Sequence, residues 1–421
     1  MRILFLHNNF PAQYRHIATA MANEGGHQIV FGTQAKNGEI TGVTKAFYKP
    51  AREVREQTHH YVRNLESAVL NGQAAYRMCM DLKKRGFVPD IVCGHSGWGP
   101  TLYVKDAFPD AKLLSYFEWF YHAHGSDADF LPESDISPDD ECRIRTRNAA
   151  ILLDLATCDW GLCPTLFQRD QFPKFFHNKL TVLHDGVDTD FFRPDPAAVM
   201  KVGDLDLSGA KEVITYATRG MEPYRGFPQF MQALSRLQKQ RPDLQAVIVG
   251  QDRVAYGRKL PDGKTFKQKM LDELELDMDR VHFTGLLPYG DYLKVLQATH
   301  VHVYMTVPFV LSWSLIESMA TGCLIVSSDT TPVREVIQDG RQGLLVDFFD
   351  VVGLADRIGE ALDNREKLRP LQEAAREVAL KRYALKDNLP KQLRLIREVA
   401  AGNLPPVLSP PKPAQRPRGR R

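Results

Sequence analysis

The segment EVITYATRGMEPYRGFPQFMQALSRLQKQRPDLQAVIVG, Glu212–Gly250, decides the fold. It opens on a short apolar run at 212–217 and closes on another at 245–249. Between them, residues 228–240 repeat apolar side chains three and four positions apart, the spacing of one helix face. A strand, a helix and a strand in that order make one crossover, which pairs its strands in parallel with a right-handed connection. The pattern continues toward the C-terminus with helix 264–275, strand 281–283, helix 290–298, strand 301–305, helix 312–321, strand 323–326, helix 332–338, strand 343–346 and helix 351–363. This is a doubly wound α/β unit.

Toward the N-terminus, a connector containing Pro, Asp, Gly and Ser separates Asp195 from Lys211. Before it, apolar runs at Ile3–His7, Gln28–Phe31, Ile91–Gly94 and Lys112–Glu118 alternate with helical patterns at Tyr14–Asn23 and Val54–Arg85. The expected architecture is α/β: two doubly wound parallel-sheet, Rossmann-like domains facing across a cleft. The first spans 1–196 and the second 212–380, joined by a linker at 197–211. A helix at 381–403 is expected to return to the first domain. The tail 404–421 holds six prolines and no aromatic residue, so it is expected to be disordered.

A chain of 421 residues, 43% hydrophobic and 25% charged, buries a sizeable core, and its length fits two domains. The six cysteines are scattered without a CxxC pair, which argues against both a disulfide framework and a zinc site. No run of eighteen apolar residues occurs, and MRILFLHNNF lacks the parts of a secretory signal. A cytoplasmic location follows as the expectation. The net charge of +3 is misleading, because the tail alone carries five cations and no acid after Leu404. The remaining body is slightly acidic, which argues against nucleic acid as a partner. The tail is a candidate for contact with anionic lipid at the inner face of a membrane.

Ligands of doubly wound proteins bind at the carboxyl ends of the strands, so the residues there are the site candidates. In the second half they begin with Arg219 and Arg225, two cations placed to neutralise a departing diphosphate, with Gly226 behind them to let backbone approach closely. The helix near Ser312, Trp313 and Ser314 offers free amides and a positive dipole end to phosphate. Glu317, one turn further on among Leu315, Ile316 and Met319, is an acid that needs partners. In the first half the strand tips are His7-Asn8-Asn9, His95 to Gly99 and Glu118 to His122. Each candidate also has an ordinary structural reading: surface arginines, a solvated glutamate, core histidines. A dehydrogenase is disfavoured because the first strand runs into His7-Asn8-Asn9-Phe10-Pro11 and not into GxGxxG. Asp127-Ala128-Asp129 and Asp188-Thr189-Asp190 have the form of a metal-holding Asp-x-Asp, but turn geometry explains the second and a metal is not expected.

The second half resembles the family-four retaining glycosyltransferases of GT-B architecture. The likeness is carried in order by HDGVDTDFFRP at 184–194, RGMEPYRG at 219–226, AVIVG at 246–250, VHFTG at 281–285, SLIESMATG at 314–322 and SSDTTPVREVIQDGRQGLLV at 327–346. The first half is similar to a subgroup through HNNFPAQYRH at 7–16 and DIVCGHSGWGP at 90–100. The resemblance implies metal-independent, retaining transfer of a sugar from a nucleoside-diphosphate donor, UDP- or GDP-linked, to a sugar, lipid-linked or other acceptor, with no further cofactor. It implies catalytic roles for Arg219, Arg225 and either Glu118 or His122. The donor-side positions it implies are Gly226, Gly285, Ser312, Trp313, Ser314, Glu317, Asn9 and His95, with Glu317 on the ribose. The chain leaves the family pattern at Phe309, where the first of two glutamates normally stands. That departure keeps a binding-only protein open as an alternative, and a nucleotide-sugar 2-epimerase shares the architecture. If Phe309 faces the donor, the transferred sugar should present a less polar edge.

Overall fold

A computed structural model describes residues 1–403, so the tail expected to be disordered and lipid-seeking lies outside the described residues. The first sheet is formed by β1 (Arg2–Leu6), β2 (Gln28–Thr33), β3 (Val43–Phe47), β4 (Ile91–His95), β5 (Lys112–Tyr116), β6 (Trp160–Cys163) and β7 (Leu180–Val182). All pairings in it are parallel, in the order β3-β2-β1-β4-β5-β6-β7. Ile3, Leu4, Phe5 and Leu6 are fully buried, as expected of a strand covered by helices on both faces.

The expected linker is not plain coil: β8 (Lys201–Val202) and β9 (Leu205–Asp206) pair antiparallel within it. Then follow β10 (Glu212–Gly220), β11 (Leu244–Gln251), β12 (Val281–Gly285), β13 (Val301–Tyr304), β14 (Ile325–Ser328) and β15 (Leu344–Val346), parallel in the order β12-β11-β10-β13-β14-β15. The helix between β10 and β11 spans Phe227–Gln240. It buries Phe227, Phe230, Met231, Leu234 and Leu237 against the sheet, and Phe230 stacks on Tyr216 at 4.7 Å. Each such side chain contributes ~1.5–3 kcal/mol on full burial. The helix expected over 332–338 shrinks to Thr331–Arg334, and the strand expected at 323–326 shifts to Ile325–Ser328. Helices Pro138–Arg147, Ala149–Thr157 and Arg365–Val378 and the strands β6 and β7 went unrecognised in the sequence, although Arg365–Val378 repeats apolar side chains at Leu368, Leu371, Ala375 and Val378.

The final helix, Leu385–Ala400, packs Leu393, Leu395, Ile396 and Val399 against the first domain's core residues Ile3, Phe5, Ile91 and Leu114. Strand order reverses between β1 and β4 in one sheet and between β10 and β13 in the other. A crevice opens at the carboxyl ends on either side of each reversal. These two points define the walls of the cleft.

Candidate functional site

The second-domain wall is built around Arg225. Its residue is buried to 6% exposure, and no carboxylate pairs with it among the described residues. Nη1 donates to Thr306 Oγ1 at 2.8 Å and to the Tyr304 hydroxyl at 3.4 Å. The guanidinium lies 5.1 Å from the Tyr256 ring and 5.9 Å from that of Phe309. A buried charge held only by neutral groups is costly unless an anion completes its shell. Arg219, at the end of β10, is exposed. Gly226 has φ +63°, and a Cβ there would lie 2.4 Å from Met305 Cβ. Its glycine therefore serves packing of the turn onto β13's end, and the close approach expected for a ligand is made by Met305. Gly285, at φ +68°, closes β12 in open space.

The start of helix Trp313–Thr321 corrects the expectation of free amides. The Ser312 N–H donates to the Tyr304 hydroxyl at 3.0 Å, and the Ser314 N–H to Ser312 Oγ at 3.3 Å. Tyr304 thus links the helix start to Arg225. Glu317 is 6% exposed, and its carboxylate accepts one bond, from the Tyr289 hydroxyl at 3.3 Å. Burial pushes its pKa up to about 7, opposed by the bond from Tyr289 and by the nearby Tyr292 hydroxyl. It lines a cavity of about 380 Å³ that also touches Arg15, His16, Asp185, Tyr289 and Trp313, so residues of both domains meet there.

The first-domain wall consists of paired groups. His95 Nε2 lies 3.4 Å from Glu118, its Nδ1 lies 2.8 Å from the Ser96 carbonyl, and its ring meets that of His7 edge-on at 5.1 Å. Burial raises the Glu118 pKa, but the bond and charge of His95, then the charges of Arg219 and Arg225, outweigh it and leave the group below the usual range. His7 is pushed down to about 3 by burial and then by His95, so it is neutral at pH 7. Asn9 is exposed, its N–H donating to His7 Nδ1 at 2.8 Å. His122 has its Nε2 2.8 Å from the Gln171 carbonyl, whereas Glu118 pairs with His95.

Sequence reasoning passed over three structural carboxylates, one that fixes a loop of the second-domain wall and two that join the walls. Glu222 is fully buried and accepts the backbone N–H of Ala255, Tyr256 and Gly257, with Gly257 at 2.7 Å, which fixes the loop carrying Tyr256. Asp185 Oδ2 accepts the Tyr116 hydroxyl from the end of β5 and the Trp313 indole N–H from the second domain, both at 3.0 Å. Burial raises its pKa to about 7 despite those two bonds. Glu335 accepts the amides of Leu166 and Phe167 at 3.0 and 2.9 Å and so caps a first-domain helix from the second domain. Asp185, set between His184 and Gly186 in a turn-like segment, carries no local signal of its burial. Phe309 is 9% exposed and packs on Trp119 at 4.9 Å, Tyr256 at 5.2 Å and Tyr224 at 5.5 Å. Three of the aspartates of the Asp-x-Asp segments accept hydrogen bonds within the protein. Asp127 accepts the Tyr224 hydroxyl, Asp129 the Gly125 amide, and Asp188 the amides of Asp190 and Phe191.

Two facing parallel-sheet domains with a cationic cleft define a GT-B fold, and solved structures agree. Anabaena Alr3699/HepE in complex with UDP-glucose superposes with TM-score 0.67 at 16% identity, over 96% of this chain and 100% of that one. Sucrose-phosphate synthase of Thermosynechococcus elongatus gives 0.69 at 17%, over 96% and 100%. Residues 25–192 match the glycosyl transferase family 4 group and residues 204–378 the glycosyl transferases group 1. The chain belongs to the family-four glycosyltransferases of GT-B fold. Among curated proteins it is 27% identical over 232 residues to a GDP-mannose-dependent alpha-(1-6)-phosphatidylinositol monomannoside mannosyltransferase of Mycolicibacterium smegmatis, covering 52% of this chain and 56% of the relative. It is likewise 27% identical over 197 residues to a D-inositol 3-phosphate glycosyltransferase of a Nocardioides species, covering 44% and 42%. The chain spans about half the length of the curated relatives it matches. Among the described residues, no helix is long and apolar enough to cross a membrane, and no three His, Cys, Asp or Glu cluster as metal ligands.

Proposed function

We propose that the protein transfers a sugar, with retention and without a metal ion, from a nucleoside-diphosphate donor to a hydroxyl acceptor. The observation that carries this reading is Arg225, a buried guanidinium lacking a carboxylate partner among the described residues, with Arg219 exposed at the tip of β10. Fixed cations in a water-poor cleft stabilise charge as it develops on a leaving diphosphate and need no reorganisation to do so. Glu317 would receive the ribose hydroxyls, and Glu118, kept ionised by His95, would face the reacting sugar. In a same-face displacement the leaving phosphate takes the acceptor proton, so neither wall must supply a base. Solved neighbours carry UDP or UDP-glucose and curated relatives are named for GDP-mannose, which supports a diphosphate donor of either base.

The test is transfer or hydrolysis of UDP- and GDP-linked sugars in excess EDTA. Turnover should persist undiminished. Loss on chelation, restored by magnesium or manganese, would overturn the metal-free part. Binding of the sugar nucleotide with no turnover under any condition would favour the binding-only reading prompted by Phe309.

A further inference from the structure

Trp98 is the most exposed of the four tryptophans with respect to the cleft groups just described. It is 54% exposed, whereas Trp119 and Trp160 are buried and Trp313 donates its indole N–H to Asp185. It follows β4 on the first-domain wall, its ring 6.1 Å from that of His95. Its ring has an apolar face and a polar N–H, and the backbone beneath it is rigidly built. Asp154, fully buried, accepts the Ser96 hydroxyl at 2.8 Å and the Gly97 amide at 3.1 Å. Gly97 and Gly99 adopt φ +86° and +102°. A Cβ on Gly99 would lie 1.9 Å from the Ala68 carbonyl oxygen, and one on Gly97 would lie 3.2 Å from Ile151. The loop is therefore pressed onto two helices and has little freedom to withdraw its tryptophan.

We infer that Trp98 is a stacking platform for a pyranose ring of the acceptor, an assignment that rests on the glycosyl-transfer reading above. A pyranose has one face of C–H groups and an edge of hydroxyls. It therefore suits an aromatic face flanked by hydrogen-bonding groups, the pattern of a small polar set beside an apolar surface. Trp98 supplies the face, and Glu118, partly exposed and held 3.4 Å from the buried His95, supplies the polar edge. The diphosphate side of the donor is drawn to Arg219 and Arg225 on the opposite wall, which leaves this wall to the acceptor. An acyl or isoprenoid chain would need a continuous apolar surface, whereas the ring nearest Trp98 is that of His95, which in turn meets His7. A rigid platform also limits the ordering cost of binding.

The experiment uses the full chain saturated with UDP or GDP, whichever binds, titrated with the methyl pyranosides of glucose, mannose, galactose and N-acetylglucosamine. At least one should bind. Trp98→Ala should weaken that pyranoside about tenfold, the ~1.4 kcal/mol that such a ratio represents, while nucleotide affinity stays at the wild-type value. Trp98→Phe, which keeps an aromatic face, should stay near wild type. Equal pyranoside binding by Trp98→Ala overturns the inference, as does failure of all four sugars to bind the nucleotide-loaded wild type. Loss of binding to phosphatidylglycerol vesicles in Trp98→Ala, with sugar binding intact, overturns it in favour of a membrane contact. If neither UDP nor GDP binds, it is the glycosyl-transfer reading itself that fails.

Discussion

The two walls of the cleft are built on opposite principles. On the first-domain wall, His95 pairs with Glu118, His7 is neutral against His95, and Asp154 is ligated by Ser96 and Gly97. On the second-domain wall, Arg225 is buried with only neutral partners and Glu317 is buried with one long bond. One wall is electrostatically complete before any ligand arrives; the other leaves a cation and a carboxyl short of partners. Incomplete shells in a packed protein mark where a ligand would supply the missing charge or donors, because burying them unpaired otherwise only costs stability. The contrast also separates roles: the complete wall offers a preset surface to the acceptor, and the incomplete wall takes the charge and hydroxyls of the donor.

The largest effect is expected where the walls touch. Phe309→Ala removes the ring that packs on Trp119 across the domains, and should cost about 3 kcal/mol of unfolding free energy in a denaturant titration. A loss below ~1 kcal/mol would show that the aromatic contact does not join the walls. Next, Arg225→Ala should lower transfer about a hundredfold or more with folding intact, since it removes a preorganised charge. Arg219→Ala, exposed to solvent and screened by it, should lower transfer less. Equal near-native rates in both variants would erase the distinction between the walls.

Asp185 tests the joint between them. Asp185→Ala leaves the Tyr116 hydroxyl and the Trp313 N–H without their acceptor and should destabilise by about 2 kcal/mol, whereas Asp185→Asn retains an oxygen for both. The pH dependence has a definite sign. The folded carboxyl titrates near 7, above its ordinary value of 3.8, so the folded state holds the proton more tightly. Stability is highest below the ordinary value and falls as pH climbs toward about 7. Relative to wild type, Asp185→Asn should lack this fall, read as the difference between two melting-against-pH curves. Parallel curves would place the titration elsewhere.

The smallest effect concerns Glu317, whose carboxyl also titrates near 7. Ribose hydroxyls bond more strongly to the ionised form, so nucleotide affinity should rise as pH passes upward through about 7. Glu317→Gln should flatten that rise and weaken binding by about 1.5 kcal/mol on the alkaline side, measured calorimetrically. A wild-type affinity independent of pH across this range would remove Glu317 from the ribose.

Much of this was legible in the chain itself. The alternation of apolar runs and helical spacing in Glu212–Gly250 and its surroundings gave the two parallel sheets, because strand and helix periods are set by neighbours a few residues apart. The landmarks gave the positions of Arg219, Arg225, Ser312 and Glu317, since a strand's carboxyl end and a helix's first turn follow from where the periodicity stops. What the sequence did not determine is which of these groups find partners. Tyr304, nine residues before Trp313, takes up the Ser312 amide that the helix start seemed to leave free. Asp185 meets Tyr116 and Trp313, far from it along the chain and in different domains, and Phe309 meets Trp119. Those contacts depend on how two separately folded sheets are set against each other, and a local repeat carries no record of that orientation. The same holds for protonation: Asp185 and Glu317 are ordinary acids by composition, and only the exclusion of water by the packed domains lifts them to neutrality's edge.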